Sequence, residues 1–191
     1  SSKNDKRDRL GTELKFTKLL ENGGFKNIPK ILISNKNENW ALFEWLDGEK
    51  IKNPNQKDLE DIINFIKKIQ TLKKCEESKK IGEASEACFN LIDHKNLIIN
   101  RLNQLINYSG ILGKSWLIFE VLESINKCVN NFQSYFSSNS SKSLSLQRRI
   151  LSPSDIGIHN ILKIKNQLYF HDFEYAGWDD PYKLIVDLLI Q

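Results

Sequence analysis

Cysteine is scarce in this sequence, arginine is a small minority of its cations, and a long apolar run is missing altogether. The three cysteines, Cys75, Cys88 and Cys128, are odd in number, far apart and without a CxxC pair. That pattern speaks against a disulfide framework and against a zinc site, and suits a reducing compartment. No stretch of about 18 apolar residues occurs. The opening residues, SSKNDKRDRLGTELKF, lack the apolar core of a signal peptide. The expectation is a soluble, cytoplasmic protein with no membrane partner. Only five of the 28 basic residues are Arg, and 28 Lys+Arg against 24 Asp+Glu leave a net charge of +4. No stripe of Arg and aromatic residues accompanies it, so no nucleic-acid partner is expected. So mild an excess can do no more than help attract an anionic ligand. No internal repeat is visible, and oligomeric state cannot be read. The high Lys, Asn and Ile usage is what an AT-rich genome produces.

What is present is ordinary globular material, 191 residues with 40% hydrophobic and 27% charged, enough for one domain or lobe with a real core. From Asp8 to Glu21 apolar residues recur at helical spacing, and Asn22-Gly23-Gly24 is a stop signal. IPKILIS and NWALFEWL flank the polar turn Asn35 to Asn39 and read as a hairpin. A helix is expected from Asn53-Pro54 to about Leu72, then two amphipathic helices, roughly Glu83 to Asn107 and Ser115 to Phe132. Ser137 to Ser145 reads as a flexible connection.

The chemistry lies near the end, in LSPSDIGIHNILKIKNQLYFHDFEYAGWDDP. NILKI and QLYFHDF read as a second hairpin turning at Lys165 to Gln167. Such a turn folds Asp172 back towards the loop bearing Asp155 and Asn160. Oxygen donors of this kind suit Mg²⁺, which takes one or two carboxylates and fills its other positions with water and phosphate oxygens. Each of the three, taken alone, is also a common turn former.

Asp, four residues, Asn, then an Asp after the next hairpin resembles the catalytic pattern of protein kinases and their small-molecule relatives. PSDIGIHNIL followed by DFEYAG and DDP resembles most the aminoglycoside phosphotransferase and choline kinase superfamily, and NWALFEWLDGEKI resembles its lobe-connecting hinge. The resemblance spans about Arg9 to Asp187. It implies an α+β, protein-kinase-like fold: a remnant of the N-lobe with the hinge in residues 1–46, and a mainly helical C-lobe with a short catalytic hairpin in residues 47–191. It implies ATP and Mg²⁺ as cofactors and a small-molecule hydroxyl substrate, an amino alcohol, sugar or aminoglycoside. Asp155 takes the role of orienting the attacking hydroxyl, and Asn160 and Asp172 that of holding the metal. The Glu44 carbonyl and the Leu46 N–H fall where the family contacts adenine, and Glu13 matches the acidic residue that pairs with the phosphate-binding Lys.

Two departures accompany the match. Pro153-Ser154-Asp155 stands where most relatives have a His two residues before the Asp, and at most twelve residues precede Glu13, too few for the strands of a phosphate-covering loop. DDPYKLIVDLLIQ also stops inside an apolar pattern, so the chain reads as a piece of a longer kinase with both ends trimmed. An alternative from another class is therefore a catalytically silent nucleotide-binding or interaction module. Among the flanking residues, His159 and His171 are expected to bond backbone, Trp45 and Trp178 to pack at the core or cleft edge, and Asp179, Asp180 and Asp187 to brace the loop, lie in an exposed turn or cap a helix.

Overall fold

The computed structural model describes residues 8–111, 116–135 and 142–189. Its elements in chain order are α1 (Arg9–Asn22), β1 (Ile31–Asn35), β2 (Trp40–Phe43), β3 (Glu49–Lys50), α2 (Gln56–Gln70), α3 (Leu91–Ile111), α4 (Trp116–Tyr135), β4 (Ile150–Ser152), β5 (Ile161–Ile164), β6 (Gln167–Phe170), β7 (Gly177–Asp179) and α5 (Pro181–Leu189). They form two compact units, one from residues 1–87 with 148–191, the other from residues 88–147. Among the described residues no helix is long and apolar enough to cross a membrane.

In the first unit α1 begins where the Asp8 carboxylate accepts the Gly11 N–H (2.8 Å), and it buries Leu14, Phe16, Leu19 and Leu20. It ends where expected, with Gly24 at φ 73°, a conformation open to glycine without cost. β1 and β2 form the first expected hairpin, with Ile33 opposite Leu42 and Asn35 opposite Trp40. The second is also present: β5 and β6 pair with Ile161 opposite Phe170, and β3 lines the other side of β5. Its tight turn is Lys165-Asn166, both at positive φ (47° and 65°), which matches the right-handed twist of the strands.

α2 starts slightly later than the sequence suggests, because Asn55 rather than Asn53 closes a capping box with Asp58. Its inner face supplies Ile62, Phe65 and Ile69 to the core. Phe65 is central: its ring stacks on Phe170 (3.7 Å between centroids, 9°) and meets Phe25 edge-on at 5.5 Å, while Phe173 packs on Phe16 at 5.6 Å. These aromatic pairs tie α1, α2, β6 and the turn after β6 into one core.

A helix beginning at Glu83 is not observed. Two short 3₁₀ turns, Thr71–Lys74 and Glu77–Lys80, follow α2, and the chain then runs extended beside β7. Ala84 N–H bonds the Trp178 carbonyl and Trp178 N–H the Gly82 carbonyl, both at 2.9 Å. Gly177 permits that approach, since a Cβ there would collide with the backbone of Glu83 and Ala84. Pairing with distant strand backbone outweighs local helical periodicity here. The helix starts only at Leu91, where Asn90 and Asp93 exchange capping hydrogen bonds (2.8 and 3.2 Å).

The second unit holds α3 and α4. α4 runs from Trp116 to Tyr135, three residues beyond the expected end at Phe132. Of the expected flexible connection, residues 137–141 lie outside the described residues, and the Leu144 N–H bonds the Phe89 carbonyl at 2.6 Å.

Candidate functional site

Two loops of the first unit carry the site. The first leaves β4 through Pro153 and Ser154, the latter at φ 64°, passes Asp155 and closes a 3₁₀ turn at Ile158–Asn160. The second follows β6, and places Asp172 at φ 65°. Left-handed backbone at a non-glycine residue costs on the order of 1 kcal/mol and persists where the surroundings impose it. Here the imposing contacts are visible.

The Asn160 side chain donates from Nδ2 to the Asp155 carbonyl (2.9 Å), and the Asn160 carbonyl accepts the His171 N–H (3.2 Å). One residue thus joins both loops, bringing Asp155, Asn160 and Asp172 together as the sequence suggests. Asn160 is 6% exposed, yet its Oδ1 takes no hydrogen bond among the described residues and is not sealed from solvent. That oxygen is left as an acceptor open to solvent. The nearness of the two aspartates also shows electrostatically. Burial first, then Glu174 and to a smaller extent Asp155, raise Asp172 above the usual carboxylate range; His171 and the Glu174 N–H oppose this.

Glu13 lies beside this second loop. Burial, then the charges of Asp172 and Glu174, push it up to about 7, against the pull of the Phe173 N–H. No ion pair neutralises Glu13 among the described residues, and the lysine partner implied by the resemblance is not observed there. Asp172 and Glu174 thus both act on Glu13, and Glu174 acts on Asp172, while Arg9 pairs with Glu174. No group of three or more His, Cys, Asp or Glu among the described residues has the arrangement of a protein-only metal centre. One carboxylate and one amide oxygen facing solvent do fit Mg²⁺, which keeps most of its shell as water and phosphate.

At the hinge, the Glu44 N–H bonds the Lys30 carbonyl (2.8 Å) and the Leu46 carbonyl accepts the Gly48 N–H (3.1 Å). The Glu44 carbonyl and Leu46 N–H, the two groups singled out for adenine, make no hydrogen bond among the described residues. Trp45 between them is 88% exposed, so it packs into no core. Trp178 does pack against the core, and its indole N–H bonds the Ser78 carbonyl (3.2 Å).

His159 departs from expectation: its Nε2 sits 3.3 Å from Asp155 Oδ2, not on backbone. The signal was its position four residues after Asp155 on a tight turn. Burial lowers His171 below the usual imidazole value. Asp180 caps α5 by accepting the Tyr182 N–H (2.7 Å), while Lys183 bridges Asp179 and Asp187 at 3.0 Å each. Glu174, quoted in the motif but given no role, is held by Arg9 at 2.8 Å.

No protein-family model matches the chain, and no curated protein sequence matches it significantly. Solved structures do. The ternary complex of APH(2")-IIa with streptomycin and ATP superposes with a TM-score of 0.52 at 19% identity, over 93% of this chain and 61% of that one. Choline kinase from Cryptosporidium parvum Iowa II gives a TM-score of 0.55 at 14% identity, over 93% of this chain and 50% of the other. The chain therefore spans half to about three fifths of the length of these proteins. Its described residues have the mixed helix and sheet, protein-kinase-like fold of an aminoglycoside kinase and a choline kinase.

Proposed function

We propose that this chain carries the nucleotide, metal and catalytic loops of an ATP-dependent phosphotransferase that moves the γ-phosphoryl group to a hydroxyl of an amino alcohol, sugar or aminoglycoside-like substrate. The observation that carries the reading is Asn160: its amide N–H is spent on the Asp155 carbonyl, its main-chain carbonyl accepts the N–H of His171 next to Asp172, and its Oδ1 takes no hydrogen bond among the described residues. An amide whose N–H is committed to backbone holds its oxygen in a fixed position, which suits a ligand to Mg²⁺.

Asp155, half-buried at the head of its loop, accepts a hydrogen bond from the substrate hydroxyl and orients it for attack on the γ-phosphorus. The hydroxyl proton passes to this carboxylate as the new P–O bond forms, and ADP leaves. Asn160 Oδ1 and the Asp172 carboxylate would hold Mg²⁺, which would neutralise phosphate charge. The Glu44 carbonyl and Leu46 N–H are free to pair with an adenine edge. Residues 1–46 supply the hinge side of the nucleotide site, and residues 47–191 supply the loops. The likeness in fold to two small-molecule kinases supports the reaction class, and substrate choice among alcohols is left to a screen.

The test is calorimetry of Mg²⁺–ATP binding beside single-turnover phosphorylation of a panel of alcohols, sugars and amino alcohols. Asp172→Asn should lose binding and transfer together. Asp155→Asn should keep binding while turnover falls by about 100-fold or more. Equal loss of affinity in both, with no selective effect on turnover, would make Asp155 structural and the chain a silent nucleotide-binding module.

A further inference from the structure

Three residues on one face of α1 touch the turn that carries Asp172. Arg9, Glu13 and Phe16 lie at i, i+4 and i+7 and so point the same way. The Arg9 guanidinium meets the Glu174 carboxylate at 2.8 Å and lies 4.9 Å over the Tyr175 ring. The Glu13 carboxylate feels the pull of the Phe173 N–H, and Phe16 packs on the Phe173 ring at 5.6 Å. All three contacts fall within three residues of Asp172. Two of them do not balance charge: Phe16 is neutral, and Glu13 adds a carboxylate to a neighbourhood that already holds Asp172 and Glu174. Arg9 supplies the compensating charge. Its planar fork is suited to bind a carboxylate edge-on while stacking on an aromatic face, which the point charge of a lysine does less well. Both partners of the ion pair are only 25% exposed, so the pair is shielded enough to hold a geometry.

We infer that Arg9 is a positioning residue for the metal-binding carboxylate: by clamping Glu174 and Tyr175 to the first turn of α1, it holds Asp172 in the conformation that presents it beside Asn160. The inference rests on the assignment of Asp172 and Asn160 as the Mg²⁺ pair, and it gives α1 a role in metal affinity that does not depend on the Glu13 lysine partner. Arg9 touches neither metal nor nucleotide in this role; it acts through the backbone of residues 172–175.

The sign of the effect separates positioning from simple charge. Removing a cation near a metal site should strengthen cation binding if charge alone matters, and weaken it if the turn loses its shape. Mn²⁺ serves as the probe, since it accepts the same oxygen ligands and its free concentration is read directly by electron paramagnetic resonance. In this chain Arg9→Gln should weaken Mn²⁺ binding about tenfold, the usual size for a lost outer-shell partner. Arg9→Lys should fall between, and Glu174→Gln placed on Arg9→Gln should not restore binding, because the clamp is open in both variants. Asp172→Asn should abolish binding. Unchanged or tighter Mn²⁺ binding in Arg9→Gln, with Asp172→Asn still deficient, overturns the role of Arg9 and leaves the phosphotransferase reading intact. Unchanged binding in Asp172→Asn overturns that reading itself. Near-ultraviolet circular dichroism checks each variant for folding. Should Arg9→Gln fail to fold, Arg9→Lys decides: affinity equal to the parent overturns the inference.

Discussion

The two hairpins of the first unit have similar sequence signals and opposite environments. In the first, Leu32, Ile33 and Leu42 are 54–60% exposed and Trp40 is 42% exposed, so neither face is packed like a core. In the second, Ile161, Leu168 and Phe170 are at most 2% exposed, and the strands are pinned by β3 on one side and α2 above. Alternating apolar residues around a turn announce a hairpin, and they do not announce what covers it. The difference matters for the site. The buried hairpin ends two residues before Asp172, so core packing sets the position of that carboxylate, whereas the exposed hairpin leads to Glu44 and Leu46, whose proposed contribution is main chain and needs no side-chain packing.

Three measurements test this contrast. Phe170→Ala removes the ring stacked on Phe65 and should cost about 3–5 kcal/mol in urea unfolding; a loss under about 1 kcal/mol would mean that the second hairpin is no better anchored than the first. The carboxylates beside the second hairpin should also make stability depend on pH. Glu13 has a folded value of about 7 against 4.5 for the free group, so between those values the folded state binds more protons than the unfolded one, and stability falls as pH rises. In metal-free buffer the drop from pH 4.5 to above 7 should be about 1–2 kcal/mol, less than the full shift implies because the carboxyl is only partly shielded. Glu13→Gln should flatten that slope, and a variant with the parent's slope would remove Glu13 as its source. The smallest effect is expected in the first hairpin, where Leu42→Thr should change stability by no more than about 0.5 kcal/mol.

Much of this arrangement was open to a reader of the sequence. The stop at Asn22-Gly24, both hairpin turns and the grouping of Asp155, Asn160 and Asp172 follow from local chemistry: turn residues, capping residues and the spacing of polar groups around a strand pair. What stayed hidden depends on partners far along the chain. The expected helix from Glu83 fails at its start, where Glu83–Ser85 are drawn out beside Tyr175–Trp178, nearly a hundred residues away. His159 against Asp155 was within reach, since four residues on a tight turn bring side chains together, but the same spacing fits a backbone contact equally well. Arg9 could not be found, because nothing near it in sequence points to Glu174.

The backbone pairing of Gly82–Ser85 with Tyr175–Trp178 has one more implication. Together with Gln70, whose amide bonds both the N–H and the carbonyl of Leu151 (3.1 and 2.8 Å), and the Lys163–Asp58 pair at 2.7 Å, it sews the part of the chain before residue 88 to the part after residue 147. The residues between are, topologically, an insertion into a unit that already closes upon itself. Sequence change or length change in that insertion need not disturb Asp155, Asn160 and Asp172, whose seats are built from the two flanking segments. A single set of loops could in that way be kept while the intervening helices diverge.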